Sequence, residues 1–186
     1  MGTAGTMTVR LLAIADVDEY LASMAAINAE SGLDGSGHSH PYGRDEPFDI
    51  EARREREIRQ WSTPLDQPEW ARVWGLFDHD DLVGHLGLSG PAVRSGLHRA
   101  RMGMGILSTH RRQGGGTLLL GAAIEWARTR PSIDWIDLGV FSDNPGARAL
   151  YDRLGFTVQG STPDRFRIYG VSVADTSMAL DVSASN

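Results

Sequence analysis

The sequence predicts a mixed α/β fold in one domain spanning residues 1–186. Two features of the pattern carry that expectation. Segments with the two-residue alternation of strands are interleaved with segments of helical spacing. The alternation runs the length of the chain with no internal repeat and no Pro/Gly/Ser-rich linker. Size agrees, since 186 residues with 41 % hydrophobic content suffice for one full core.

The elements follow in order. Met7–Ile14 reads as a strand. Asp16 with Glu19 three residues on has the form of a capping box, and Val17, Tyr20, Leu21 and Met24 then fall at helical spacing. Residues 34–47 are a polar loop. Asp49–Trp61 is a heavily charged helix with Ile50, Ile58 and Trp61 toward one side, and Glu55–Arg59 at the spacing of an i,i+4 ion pair. Its run Arg53, Arg54, Arg56, Arg59 is interleaved with Glu51, Glu55 and Glu57, which makes a solvated face rather than a phosphate site. Arg72–Phe77 and Leu82–Leu88 are strands joined by the turn Asp78-His79-Asp80-Asp81. Arg99–Leu107 is a strand, Gly114–Arg130 a helix opening on three glycines, and Trp135–Phe141 another strand. Asn144 followed by Pro145 is a helix start, because proline suits the first helical position and asparagine beside it caps. Ala147, Leu150, Tyr151 and Leu154 form its buried stripe, and Gly155 ends it. Thr157–Ile168 and Val171–Val182 close the chain as strands hinged at Tyr169-Gly170.

Composition removes several function classes. The balance is 18 basic against 24 acidic residues, net −6, and every basic residue is Arg. That gives no support to a nucleic-acid or anionic-membrane partner. Zero Cys excludes disulfides, thiolate nucleophiles and zinc-thiolate or iron–sulfur sites. Residues 1–6 and 183–186 are expected to be flexible. Met1–Thr6 lacks a signal peptide's basic start and apolar stretch, and its formal myristoylation match, Gly2 with Thr6, is set aside for an unmodified start. No apolar run approaches the 18 or so residues of a span, so the expected location is the cytoplasm.

The strongest local signal is Ile106-Leu-Ser-Thr-His-Arg-Arg-Gln-Gly-Gly-Gly-Thr117, a strand, a turn rich in Arg and Gly, and a helix start. Free N–H groups and the helix dipole make such a turn an anion site, and glycines allow a phosphate to come close. A nucleotide-binding P-loop is excluded because it needs Lys. The dinucleotide fingerprint fails because Gly103-Met-Gly105 is followed by Ser108 where a third Gly is required.

Arg111-x-x-Gly114-x-Gly116 resembles the acetyl-CoA pyrophosphate signature of the GNAT superfamily of N-acetyltransferases. Asn144-Pro-Gly-Ala147-Arg-Ala-Leu150-Tyr151-Asp-Arg-Leu-Gly155-Phe156 resembles its second motif. The ending, from Phe166-Arg167-Ile168-Tyr169-Gly170 through Met178-Ala179-Leu180, is similar to that of its amino-acid and protein N-terminus acetylating branches. The resemblance runs from about residue 98 to 182. It implies a mostly antiparallel sheet with splayed central strands flanked by helices, acetyl-CoA as co-substrate, and direct acetyl transfer to a primary amine of a small molecule or peptide N-terminus. Met104 and Ile106 would offer backbone groups to pantetheine. Arg111, Arg112, Gln113, Gly114, Gly115, Gly116 and Thr117 would hold the pyrophosphate, mostly through N–H groups. Asn144 matches a residue contacting cofactor or substrate, and Tyr151 the general acid for the departing thiolate. Dimers are frequent in the family, so a homodimer is compatible with it.

Gly103 and Gly105 lie on one strand face bare of side chains, which suits close approach of another chain. Departures from the family pattern bear on the base. Some members carry a Glu five residues before the motif Asn, where this chain has Gly139; others carry one on the cofactor strand, where it has Arg101. Asp137 is the nearest carboxylate on the same alternating face, and a water chain is the default base. Without a dedicated carboxylate an α-amine is the easier nucleophile. About 14 % of a group with pKa near 7.8 is neutral at pH 7, against ~0.04 % of a lysine-type amine. Arg101 pointing inward would hold a substrate carboxylate and repel a polycation. His40 and Tyr42, with His38, Arg44, Asp45 and Glu46, are candidates for the substrate pocket wall. His38-x-His40 alone supplies two ligands and no third, so no metal is expected. A non-catalytic CoA-binding sensor on the same fold is the alternative, and a Rossmann-type dehydrogenase a distant third.

Overall fold

The computed structural model describes residues 7–33, 37–38, 40–41 and 49–183. The strands are β1 (Thr8–Leu11), β2 (Ala71–Asp78), β3 (Asp81–Ser89), β4 (Arg99–Ile106), β5 (Trp135–Phe141), β6 (Thr157–Ile168) and β7 (Val171–Asp181). The helices are α1 (Val17–Ala29), α2 (Ile50–Ser62), α3 (Gly115–Arg128) and α4 (Pro145–Arg153). The strands form one seven-stranded sheet in the order β1-β2-β3-β4-β5-β7-β6. Every neighbouring pair is antiparallel except β4 with β5. The expected sheet is thus observed.

Helices cover both faces, which explains the nearly continuous apolar run of β2. Trp74 and Leu76 point to a core shared with Leu119, Leu120 and Ala123 of α3. Val73 and Phe77, alternating with them, point to a second core with Leu21 and Met24 of α1 and Trp61 of α2. Each such leucine contributes roughly 1.5–3 kcal/mol on burial. The β2–β3 hairpin turns on His79-Asp80, with His79 in the left-handed region at φ 56°.

Four local expectations need correction. The first strand stops at Leu11, and Ile14–Asp16 is a single 3-10 turn. The Asp16 carboxylate does not cap α1; it accepts from the Ala13 N–H at 2.7 Å and from both guanidinium nitrogens of Arg10. Tying the chain back in this way ends the strand early. α2 begins at Ile50, and Asp49 caps it, accepting from the Ala52 N–H at 3.0 Å. Its ion pairs differ: Arg54 reaches Asp18 of α1 at 2.6 Å, and Arg53 reaches Glu57 at 2.6 Å. Glu57 is no part of a solvated face. It is 3 % exposed and also accepts from the Trp61 indole N–H at 2.9 Å.

His85 of β3 meets the Tyr20 ring edge-on at 5.0 Å, and its Nδ1 is buried without a hydrogen-bond partner among the described residues. Burial, with a smaller effect of Arg53, pushes its pKa down to about 4. Above pH ~6.5 His85 is neutral in both folded and unfolded chains and contributes no pH dependence. Below that, the unfolded chain binds a proton that the folded one refuses. Stability therefore falls as pH drops from about 6.5 toward 4, by at most about 3 kcal/mol from this group. Urea unfolding across this range should show a shallower decline for His85→Gln; parallel curves for the two proteins would contradict it.

Candidate active site

The site begins where two strands part. β4 and β5 pair only at Arg99–Trp135, Ala100–Ile136 and Arg101–Asp137. Beyond that point β4 continues against β3 as far as Ile106–Gly84, and β5 against β7 as far as Phe141–Asp175. The β4 edge from Met102 to Ile106 therefore has no strand beside it on the β5 side. This opening is part of a cleft of about 1130 Å³ lined by Gly103 and Met104 of β4, Gly139 of β5, and Asn144 and Tyr151 at α4. Gly103 is open: a Cβ there would meet nothing within 4 Å. Gly105 is different, since its missing Cβ makes room for Ile27 of α1, at 2.8 Å from that point.

At the mouth of the cleft the chain turns into α3. Arg112 and Gly114 both take positive φ, 60° and 88°. The backbone N–H groups of Arg112, Gln113, Gly114, Gly115 and Gly116 donate to no protein group among the described residues; the first bonded amide is that of Thr117, to Gly114 O at 3.0 Å. Successive free N–H groups at a helix start form a concave anion site with the positive end of the helix dipole behind it. The glycines after Gly114 serve packing. A Cβ on Gly115 would lie 2.5 Å from Leu76 Cδ2, and one on Gly116 2.8 Å from Leu150 Cδ2.

Arg111 is engaged within the protein. Its Nε donates to Ile106 O at 2.8 Å and its Nη2 to Glu30 at 3.2 Å. Glu30, just past α1, also accepts from the Ser108 N–H and hydroxyl at 2.8 and 2.9 Å. Arg111 thus fixes the loop, and Ile106 O already has a donor. Arg112 is exposed and lines the cleft.

Tyr151 is 6 % exposed, with its ring tilted against Phe156 at 5.7 Å. Burial pushes its pKa up to about 12, so the hydroxyl stays protonated at neutral pH. The Asn144 side-chain oxygen caps α4, accepting from the Ala147 N–H at 3.2 Å. Its amide NH₂ is not used by that cap. Arg101 is exposed, lines the cleft, and forms no ion pair among the described residues. Asp137 is not available as a base, being held by both Nε and Nη2 of Arg99 at 2.7 and 2.5 Å. His40 lines the cleft with Nε2 3.1 Å from Asn28 O. Tyr42 lies outside the described residues, as do Arg44, Asp45 and Glu46.

Several residues at the site were not singled out from sequence. Glu30 and Asp143 are two of them: Glu30 meets Ser108, 78 residues away, and Asp143 Oδ2 lies 2.5 Å from Nδ1 of the expected pocket residue His38, 105 residues away, so no local pattern marks either. Asp175 is placed in the cleft from β7. Among the described residues no group of three or more His, Cys, Asp or Glu is arranged to hold a metal, and no helix is long and apolar enough to cross a membrane.

The acetyltransferase (GNAT) family model matches residues 38–156. Among solved structures, yncA of Salmonella typhimurium, determined with its cofactor acetyl-CoA, is similar at TM-score 0.78 and 21 % identity, covering 97 % of this chain and 96 % of that one. The ribosomal-protein-alanine N-acetyltransferase of Brucella melitensis is similar at TM-score 0.74 and 21 % identity, covering 94 % and 99 %. A spermidine/spermine N-acetyltransferase of Vibrio cholerae gives TM-score 0.68 and 21 % identity, covering 95 % of each chain. At these identities the likenesses establish the fold. No curated protein matches the chain.

Proposed function

The chain belongs to the acetyltransferase (GNAT) family, and we propose that it moves the acetyl group of acetyl-CoA directly onto the primary amine of a small α-amino compound or peptide N-terminus. It is an acetyl-CoA-dependent N-acetyltransferase; the acceptor class and the residue roles are the proposal. The observation that carries it is the run of unpaired N–H groups from Arg112 to Gly116 at the mouth of the gap between β4 and β5. A diphosphate fits the first, and an extended arm lying along an unpaired strand edge fits the second. The open face at Gly103 leaves room for that arm.

In this reading the N–H groups of residues 112–116 hold the pyrophosphate and Arg112 adds charge. Met104 offers backbone groups to the pantetheine arm. Ile106 contributes through its N–H, because its carbonyl is occupied by Arg111. Acetyl-CoA supplies the activated acetyl group and the thiolate leaving group. A strand N–H on the β4 edge stabilises the oxyanion, and the Tyr151 hydroxyl donates a hydrogen bond to the departing sulfur. Asn144 orients cofactor or substrate with its amide NH₂. Holding both reactants in place supplies much of the rate, as much as ~7–11 kcal/mol in ideal cases.

Acceptor choice rests on Arg101. Its guanidinium, in the cleft and without an ion-pair partner among the described residues, suits a carboxylate beside the reacting amine and repels a polycation. A panel of amines at pH 7 should give kcat/KM at least tenfold higher for α-amino acids or short peptides than for spermidine. Equal or faster turnover of spermidine would overturn that preference.

A further inference from the structure

Most polar groups in the cleft are accounted for by partners or by the roles above; one carboxylate is not. Asp175 stands on β7 opposite Phe141 of β5, and Ser177 stands opposite Gly139. Directly opposed and alternate residues share a sheet face. Asp175 therefore leans over Gly139, and it does so closely: a Cβ on Gly139 would lie 2.8 Å from its Oδ1 and 3.1 Å from its Oδ2. Glycine at 139 is what leaves room for this carboxylate. Oδ1 is shut off from solvent and has no hydrogen-bond partner among the described residues.

Burying a carboxylate oxygen without a donor is costly, and a cation held on the cleft side of the same carboxylate offsets that cost. Among the described residues the cleft contains one other carboxylate, Asp143, and that one is engaged by the His38 imidazole and backbone N–H. The other titratable groups lining the cleft are Arg101 of β4, Arg111 and Arg112 of the loop, His40, and Tyr151 and Arg153 of α4. Asp137, on the face of β5 that carries Gly139, is neutralised by Arg99. Beside Asp175 the rings of Phe141 and Phe166 meet at 5.3 Å, an apolar wall that limits water.

We propose that Asp175 is the general base of the transfer, holding the substrate ammonium at the cleft side of its carboxylate and taking its proton. The inference rests on the acetyltransferase reading above and replaces the water chain expected from sequence. The ammonium gives one proton to the Asp175 carboxylate and becomes a neutral amine. Its lone pair forms the N–C bond to the acetyl carbonyl as the C–S bond breaks. The electron pair of that bond leaves on sulfur, the second nitrogen proton reaches the thiolate through solvent as the amide forms, and Asp175 then sheds its proton to solvent. One ammonium and one thioester become one amide, one thiol and one released proton. With Arg101 on β4, Asp175 places opposite charges in one cleft, matching an amino acid with its ammonium toward β7 and its carboxylate toward β4.

Asp175→Asn keeps size and shape and removes the base. With an α-amino substrate at pH 7 its kcat should fall at least 10²-fold, the usual range for a positioned base, while CoA affinity measured by titration stays within twofold. The deficit should shrink as pH rises past the pKa of the amine, which then arrives neutral. In Asp175→Gly, added formate should restore part of the rate by entering the vacated space. A loss under threefold, or a deficit constant with pH and unmoved by formate, would overturn the proposal. If the unaltered protein acetylates no amine at all, the acetyltransferase reading fails first and this one with it; normal turnover untouched by Asp175→Asn sinks this one alone.

Discussion

Tyr151→Phe lowers kcat by about 10²-fold or more, the scale of one lost proton donor at a developing charge, while the fold is unharmed. Catalysis and stability separate at this residue. The Tyr151 ring is buried against Phe156, so Phe preserves its packing. No hydrogen bond of the hydroxyl to the described residues accompanies that burial, and removing a hydroxyl with no protein partner costs a folded chain little. With its pKa pushed up to about 12, the hydroxyl remains a donor across the working range. It is too weak an acid to protonate a thiolate outright at low cost, since free thiols titrate near 8.5. Its contribution is therefore a hydrogen bond to sulfur as charge develops. Steady-state kinetics should show reduced kcat with KM for acetyl-CoA nearly unchanged, and thermal unfolding should show Tm unchanged or slightly raised. A variant with full kcat would assign Tyr151 to packing alone.

Glu57→Ala acts on the other side of the sheet and in the opposite sense, costing stability and sparing the site. Glu57 accepts from Arg53 Nε at 2.6 Å and from Trp61 Nε1 at 2.9 Å while 3 % exposed. Its removal leaves the indole N–H buried without an acceptor and a guanidinium without its counter-charge. Breaking such a buried arrangement costs about 3 kcal/mol, with the half-exposed Arg53 recovering some hydration. For a chain of this length Tm should drop by roughly 6–12 °C. Glu57→Gln, which still accepts from Trp61, should lose about half as much. CoA affinity at a temperature below both transitions should be unchanged. Equal Tm values for Ala and Gln variants would show that the Trp61 hydrogen bond contributes nothing.

How much of this was legible in the sequence depends on how local the cause is. α4 was readable from its cap to its stripe because Asn144, Pro145, Leu150 and Tyr151 act within three turns. β5 was readable to the residue, bounded by Trp135 and Phe141. The burial of Glu57 was missed because alternating Arg and Glu look like a solvated face; an indole donor four residues on, at Trp61, was the available signal. The strand expected to reach Ile14 ended early because Asp16 reaches back to Ala13 and Arg10, a contact that apolar spacing does not register. In the site, the glycine-rich turn and Tyr151 were marked by motif. The Gly139–Asp175 arrangement was not, since it depends on β7 inserting between β5 and β6 with a particular register. The glycine at 139 read as a missing base; in the fold it is the space that a carboxylate from another strand fills.

Acetyl transfer in the cleft between β4 and β5 is measured directly as free thiol release from acetyl-CoA beside mass analysis of the amine. One thiol should appear per acetylated α-amine, with both products falling together in Tyr151→Phe. Tight CoA binding with no thiol release on any amine, indifferent to Tyr151→Phe, would contradict it.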